Sequence, residues 1–366
     1  MTTYRCALLS VVKHDYIPRG VASHPQFEIV VVADDPGVPE WAHQRNQAFA
    51  DEYNVPYVRS VEDAISQYDV QVAIVSSEAE RHCDLSVRAA EAGLHIVQDK
   101  PMSNRMSECD RLVEAVERND VRFLMWNRNG LPAVEHAREI VESGEIGDLY
   151  AIHVDFYFAK DCGPPLGSCP DGAPPIDWLG HQIAAHENGS DGGIGSEPMG
   201  ELKVEGIYPL GYIRVLTGDA KVERVFARTS AHFHQLHSDN HVDDLATVSL
   251  EMAGGIQGTL CIGRIGAASH PDIGEIKIHA LGSKGGLVIS EARPEVSVYY
   301  RGQSADEFRN RRVSVENDFL LMEDFAKSIE QRRETLFDVR ASREIVSIVD
   351  AAIRSSETGR VETVGS

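Results

Sequence analysis

Between residues 8 and 20 the chain reads "LLSVVKHDYIPRG": an apolar run, a turn carrying Lys13 and His14, then a helical pattern. Two groups able to bear positive charge, set before a helix whose first amides have no internal partner, can hold a phosphate. The next apolar run ends "VVVADD", leaving Asp34 at its tip and Asp35 beside it. A carboxylate there hydrogen-bonds the adenosine ribose hydroxyls and repels a 2′-phosphate, which favours NAD over NADP. Phosphate grip followed by ribose acid is the chemistry of dinucleotide binding. The customary glycines are absent, because Ser10, Val12 and Asp15 fill the three glycine positions of GxGxxG. Side chains at Val12 and Lys13 then hold a pyrophosphate farther from the helix amides, with water, Lys13 or His14 substituting for direct contacts.

Other residue types invite chemistry further on. The segment "HFHQLHSDNH" offers His232, His234, His237 and His241, but its spacing fits neither a zinc-finger pair nor HExxH. They read as solvated loop histidines, and no metal is expected. His181, His186, Arg264 and His270 are the better candidates for substrate contact. Arg264 follows a strand and can hold a carboxylate, sulfonate or phosphate bidentately; the alternative is a surface salt bridge. Cys162 and Cys169 lack an identifiable base and are not read as nucleophiles.

These groups need a frame. The apolar runs "CALLSVV", "FEIVVVADD" and "DVQVAIVSS" are nearly continuous and alternate with amphipathic helical stretches as far as "RFLMWN". That pattern predicts a doubly wound parallel sheet of Rossmann type over residues 1–127, covered by helices on both faces. From residue 128 the texture changes to strictly alternating runs such as "LYAIHVDFYF". Residues 128–366 therefore read as an α+β domain with a large, mostly antiparallel sheet, and the whole chain as α/β in class. Residues 160–200, rich in Gly and Pro, read as an active-site loop. A net charge of -22 argues against a nucleic-acid or anionic-membrane partner. Six scattered cysteines, no membrane-length apolar run and no leader pattern set the expectation of a cytoplasmic protein.

One stretch is more specific. "AAEAGLHIVQDKP" resembles the helix, strand and EKP motif of the Gfo/Idh/MocA oxidoreductases. "WNRNGLPAVEHAREIVESGEIGDLYAIHVDF", "GIYPLGYIRVLTGD", "DDLATVSLEM" and "LGSKGGLVIS" are similar to later segments of that family, in the same order. The resemblance implies that Lys100 lies near the nicotinamide and the reacting carbon, with Asp99 beside it and Pro101 fixing the turn. It also implies that Ser76 and Ser77 stand where the family has a cofactor-side Thr-Pro, and that Asn127 lies near the nicotinamide. In the family's DxGxH segment this chain reads Val204-Glu205-Gly206-Ile207-Tyr208. Tyr208 takes the histidine position, as in the glucose-fructose oxidoreductase and dihydrodiol dehydrogenase branches. Val204 removes the carboxylate, and Glu205 serves substrate in its place if the segment is locally unwound.

The expectation is therefore an enzyme: an NAD-dependent oxidoreductase moving a hydride between a nicotinamide and a ring hydroxyl of a sugar, glycoside or cyclitol. Lys100 and Tyr208 are its catalytic pair. Two alternatives remain open, an NAD-dependent glycoside-cleaving enzyme and a non-catalytic or regulatory relative. The family resemblance further implies a homodimer or homotetramer formed through the C-terminal sheet.

Overall fold

The computed structural model describes residues 3–127, 132–158, 199–264, 275–290, 295–302, 308–312 and 317–365. The described residues fall into two compact units. One holds those up to Asn127 together with Asp318–Val346, and the other holds those in between and from Ser347 onward. Among the described residues no helix is long and apolar enough to cross a membrane.

The first unit is built on six parallel strands: β1 (Tyr4–Leu9), β2 (Phe27–Ala33), β3 (Tyr57–Val58), β4 (Val72–Val75), β5 (His95–Gln98) and β6 (Phe123–Met125). Their order is β3-β2-β1-β4-β5-β6. Helices α1 (Tyr16–Ser23), α2 (Glu40–Tyr53), α3 (Val61–Gln67), α4 (His82–Glu91) and α5 (Met106–Arg118) make the crossovers. Cys6–Leu9 and Val72–Val75 are buried throughout, which explains their uninterrupted apolar sequence. The strand order reverses between β1 and β4, so the crevice beyond their carboxyl ends is where such a sheet receives a ligand. Leu9 pairs with Val75, and Val75 with Gln98, so Ser10, Ser76 and Asp99 are the first residues past three adjacent strand tips.

Ser10 has φ 67°, the left-handed conformation that a glycine normally supplies at this turn. Its amide donates to the Ala33 carbonyl at 2.8 Å, which holds the turn despite the side chain. The glycine that does stand nearby, Gly20 on α1, has a different role. A Cβ there would lie 2.7 Å from the Trp126 indole, so Gly20 lets α1 seat on that ring.

Sequence reading placed everything after residue 127 in the second domain. The contacts of residues 318–346 are instead with the first sheet and its helices. Helix α10 (Asn317–Gln331) brings Phe325 within 5.8 Å of Phe27, ring to ring. Gln26 Nε2 donates to Glu330 at 2.9 Å, Thr335 Oγ1 to the Phe123 carbonyl at 2.6 Å, and the Met125 amide to the Phe337 carbonyl at 3.0 Å. These pairings join residues about 200 to 300 positions apart, beyond what a local pattern can signal.

The second unit carries a nine-stranded sheet among its described residues. Its strands are β7 (Leu149–Phe158), β8 (Val222–Ser230), β9 (Leu245–Met252), β10 (Gln257–Arg264), β11 (Glu275–Gly282), β12 (Gly285–Ser290), β13 (Glu295–Tyr300), β14 (Phe308–Arg312) and β15 (Glu362–Thr363). The order is β14-β13-β12-β11-β7-β10-β9-β8-β15. Every neighbouring pair is antiparallel except β7 with β10. The alternation read from sequence is the burial pattern: Ala246, Val248, Leu250 and Met252 of β9 point inward. Helices α6 (Pro132–Glu142), α7 (Glu201–Glu205), α8 (Ile207–Leu216) and α9 (Gln235–Asp239) join it, with the later turns of α11 (Val339–Thr358). Ser355 Oγ and Ser356 Oγ of α11 each accept an amide of β8, from Ala227 and Thr229, at 3.0 Å.

Gly20→Ala separates helix propensity from packing. The substitution gains about 1 kcal/mol of propensity but forces the Trp126 ring to move, at a cost of about 1–3 kcal/mol. A net loss in urea-denaturation midpoint is expected, turning to a gain when the same change is made in a Trp126→Phe background.

Candidate functional site

The strand tips of the first unit converge on one carboxylate. Asp99 is fully buried, and its amide donates to the Val75 carbonyl at 2.8 Å. Its Oδ2 lies 2.6 Å from His14 Nδ1, and its Oδ1 accepts the Lys100 amide at 2.7 Å. Burial by itself would raise the Asp99 pKa. The charge and hydrogen bond of His14, with the charges of His82 and Lys13, outweigh it and hold the carboxyl at about 2. His14 is pushed the other way, because burial lowers its pKa more than Asp99 raises it.

The turn expected to grip phosphate is thus partly committed inward. His14 is spent on Asp99, and Lys13 Nζ is buried where its charge acts on Asp99, His14 and His82. The Lys13 amide donates to the Ser76 carbonyl at 3.4 Å, and Ser76 Oγ returns a bond to the His14 carbonyl at 2.8 Å. Ser76 and the turn therefore stand together. Ser77 follows, its hydroxyl on the Glu78 carbonyl at 3.0 Å. Val12 does not face outward as read: it is buried in a small cluster with Val38 and Ala42. Asn127, after β6, is fully buried.

Asp34 and Asp35 occupy the expected end of β2, but neither is a free carboxylate. Arg81 Nη1 and Nη2 reach Asp34 Oδ1 at 2.6 and 2.7 Å, and Asn46 Nδ2 reaches Oδ2 at 2.9 Å. Asp35 is held by both terminal nitrogens of Arg88 at 2.8 Å, and the Arg88 hydrogen bonds lower its pKa.

Lys100 is 2% exposed at the end of β5, and the Lys100–Pro101 peptide bond is cis. The Pro101 carbonyl lies 2.8 Å from His82 Nδ1, whose Nε2 lies 3.0 Å from the Ser77 carbonyl. His82 thereby ties the turn after β4 to the turn after β5. Sequence reading missed His82, Arg81 and Asn46. His82 opens α4 and Arg81 immediately precedes it, a short loop and a 3-10 turn past the tip of β4, which is a usable signal; Asn46 sits mid-helix and offers none.

In the second unit α7 and α8 meet at Gly206, where a Cβ would lie 2.3 Å from the Leu202 carbonyl oxygen. Tyr208 is buried with its ring stacked on Phe156 of β7, centroids 5.7 Å apart. Val204 is buried too. Glu205 and Arg264 come together, but on each other: Arg264 Nη2 donates to Glu205 Oε1 at 2.8 Å, and Arg264 Nε to Glu201. Arg264 is thus salt-bridged, but in the interior rather than at the surface as the alternative had it, since both carboxylates are buried beside it.

The histidine-rich segment differs from expectation. His232 and His241 are exposed, but His234 and His237 are buried at α9. His234 Nε2 meets the Arg264 carbonyl at 2.6 Å, and His237 Nε2 lies 3.6 Å from Glu201 Oε1. Nearby Asp244 is fully buried and accepts the amides of His232, Phe233 and His234, which fixes the turn. Burial raises Asp243 to about 6. Among the described residues no three His, Cys, Asp or Glu side chains converge as metal ligands. His181, His186, His270, Cys162 and Cys169 lie outside the described residues.

Comparison with known proteins bears on both units. Residues 11–127 match the GFO_IDH_MocA model, described as an oxidoreductase family with an NAD-binding Rossmann fold. Residues 199–364 match the corresponding C-terminal alpha/beta domain. Trans-1,2-dihydrobenzene-1,2-diol dehydrogenase of Mus musculus is 28% identical over 219 residues, 59% of this chain and 56% of the mouse protein. Inositol 2-dehydrogenase of Salmonella paratyphi B is 27% identical over 156 residues, 42% of this chain and 45% of the relative. The chain thus spans about half the length of these curated relatives. A levoglucosan dehydrogenase solved with NADH and levoglucosan shares the fold, with a TM-score of 0.81 at 18% identity and full coverage of both chains.

The Asp99 carboxylate makes stability pH-dependent in a defined direction. An unfolded aspartate titrates near ~3.9, whereas the folded value is about 2. The stabilisation is therefore complete above the unfolded value and lost as pH falls toward the folded one. At pH 7 Asp99→Asn should cost roughly 2 kcal/mol, a gap that closes between about pH 4 and pH 2 in a urea-denaturation series. A gap that stays constant over that interval would sink the assignment.

Proposed function

Because the chain belongs to the Gfo/Idh/MocA oxidoreductase family, we propose that it is an NAD-dependent dehydrogenase acting on a ring CH–OH of a sugar, glycoside or cyclitol. The observation that carries this reading is Lys100: a buried lysine past the tip of β5, in a sheet whose strand order reverses on the far side of the adjacent β4. The named relatives act on ring diols, inositol and levoglucosan, so a polyhydroxylated ring is the common substrate chemistry.

The residues at the β1 turn fit a dinucleotide. Ser10 adopts the glycine-like φ of the phosphate turn, and its buried Oγ has no hydrogen-bond partner among the described residues. Such a hydroxyl is what a phosphate oxygen or its bridging water would satisfy. When bound, NAD supplies the acceptor for the hydride leaving the ring carbon. The chain's part is to position the ring and manage the hydroxyl proton. Lys100 Nζ polarises the substrate oxygen and relays its proton, and Tyr208 Oη is the second group in that role. Asp99 and His14 keep Lys100 in place through the backbone of the turn, and His82 does so through Pro101. We further assign homo-oligomerisation to the sheet face opposite the packed one, where Phe226, Leu281 and Tyr299 are exposed.

The test begins with NADH fluorescence titration of the purified protein, followed by NADH formation with cyclitols and anhydrosugars. Lys100→Met is expected to lower turnover at least about a hundredfold while leaving NADH affinity within about threefold, because the side chain acts on substrate. Near-normal turnover removes Lys100 from the chemistry. Absence of NADH binding to the wild type favours a non-catalytic relative, and consumption of a glycoside without net NADH favours bond cleavage.

A further inference from the structure

Two acids stand side by side just before β9, and between them they hold both members of the Glu205–Arg264 pair. Asp243 holds the helix that carries the glutamate. Its Oδ2 accepts the Leu202 amide at 2.8 Å, and its backbone carbonyl accepts the Glu201 amide at 2.9 Å. These are the first two amides of the five-residue α7, which have no partner within the helix. The approach requires the glycine beside it, because a Cβ on Gly200 would lie 2.0 Å from Asp243 Oδ1 and 2.6 Å from its amide nitrogen. Asp244 holds the arginine: its carbonyl accepts the Arg264 amide at 2.9 Å, while its carboxylate gathers the amides of His232, Phe233 and His234.

From Asp243 a line of hydrogen bonds runs to the turn that carries Tyr208. Leu202 donates to Asp243, the Gly206 amide donates to the Leu202 carbonyl at 3.1 Å, and the Leu210 amide donates to the Gly206 carbonyl at 3.1 Å. Gly206 is the N-cap of α8 and has no side chain with which to cap it, so α7 fixes where α8 begins. The ionised Asp243 weakens the fold. Loss of water around the carboxyl raises its pKa to about 6; Glu201 of α7 adds to the rise, and the Leu202 amide and His237 of α9 oppose it. Arg264 and Asp244, the next charges along, are occupied by Glu201 and Glu205 and by the turn amides. An unfolded aspartate titrates near ~3.9, so stability present below that value is lost as pH rises through the folded one. An asparagine would offer Leu202 an oxygen without that cost.

We propose that Asp243 is a positioning residue for the reaction: by holding the Leu202 amide it sets the start of α7 and, through Gly206, the first turn of α8 that presents Tyr208. This rests on the dehydrogenase reading above, in which Tyr208 meets the substrate. The ionised acid is the effective form, because a charged acceptor holds an amide about twice as strongly as a neutral one. Protonation loosens the start of α7, and Tyr208 loses its fixed orientation.

Asp243→Asn keeps the shape and an acceptor but removes the charge. At about pH 7.5 it should lower kcat at least about fivefold, well inside the loss that a displacement of ~1 Å produces, with substrate KM changing less. As pH falls through about 6 wild type loses this advantage, and the ratio of the two kcat values approaches one near ~pH 5. Other titrations cancel in that ratio, since both proteins share them. Thermal melts at the higher pH should show the variant at least as stable as wild type, whereas an acid that only held the fold together would leave it less stable. Hydrogen exchange needs no substrate: amides of residues 201–210 should exchange at least about threefold faster in the variant at the higher pH and alike at the lower. Equal kcat at the higher pH overturns the proposal. So does a loss of kcat that is the same at both pH values, or one that accompanies a lower melting temperature. Wild-type protein that turns over no cyclitol or anhydrosugar overturns the dehydrogenase reading instead. The exchange comparison then decides on Asp243 alone, and identical exchange in the two proteins overturns its part.

Discussion

A carboxylate taken wholly out of water has to be compensated, and at Asp99 the compensation organises the site. Its two oxygens recruit the His14 ring from the β1 turn and the Lys100 amide from its own turn. The β1 turn is also fastened to β4 through Ser76, and the β4 turn to the β5 turn through His82. Three strand tips are thus fastened to one another by hydrogen bonds gathered around one buried charge. Lys100 inherits its position from that network. A lysine on an untethered loop would lose rotamer entropy each time it met a substrate, whereas a buried one has lost it on folding.

The same economy governs charges that the sequence offers as ligands. Asp34, Asp35, Glu205 and Arg264 have residue types suited to ribose or an anionic substrate, yet each is engaged by an internal partner. Burial decides this for Asp34, Glu205 and Arg264. At an exposed position such a pair contributes little, and a ligand can replace it. In a dry environment an unpaired charge is costly enough that the fold supplies a counter-ion, and the pair then acts as a unit. Removing one member therefore alters what the other does, which is why Arg81 cannot be considered apart from Asp34.

The local grammar of the chain was readable where it was periodic. Near-continuous strands in "CALLSVV" and "VAIVSS", the alternating "LYAIHVDF" and the helix before "HIVQDKP" follow from side-chain periodicity, and they fix a doubly wound domain followed by an antiparallel one. The Ser76, Asp99 and Lys100 cluster was reachable for the same reason, since residues just past parallel strand tips meet at one end of the sheet. Ser10 shows where substitution hides structure: the backbone keeps the left-handed turn without the glycine that usually announces it.

Partnership across long separations was not readable. Sequence could say that Asp34 sits at a strand end, because position along a strand is a local property. That Arg81, 47 residues later, would close over it depends on how the 3-10 turn before α4 is aimed. His234 and His237 looked solvated because their segment is polar; the buried Asp244, gathering three amides, draws that turn inward. Residues 318–346 likewise carry an ordinary amphipathic pattern that does not specify which sheet their helices cover. Periodicity states that a face will be buried, whereas the choice of partner is a free-energy difference among many non-local contacts. Composition and spacing therefore determined the layers and the end of the sheet where chemistry belongs, and tertiary packing decided which of the charged groups there face a ligand and which face each other.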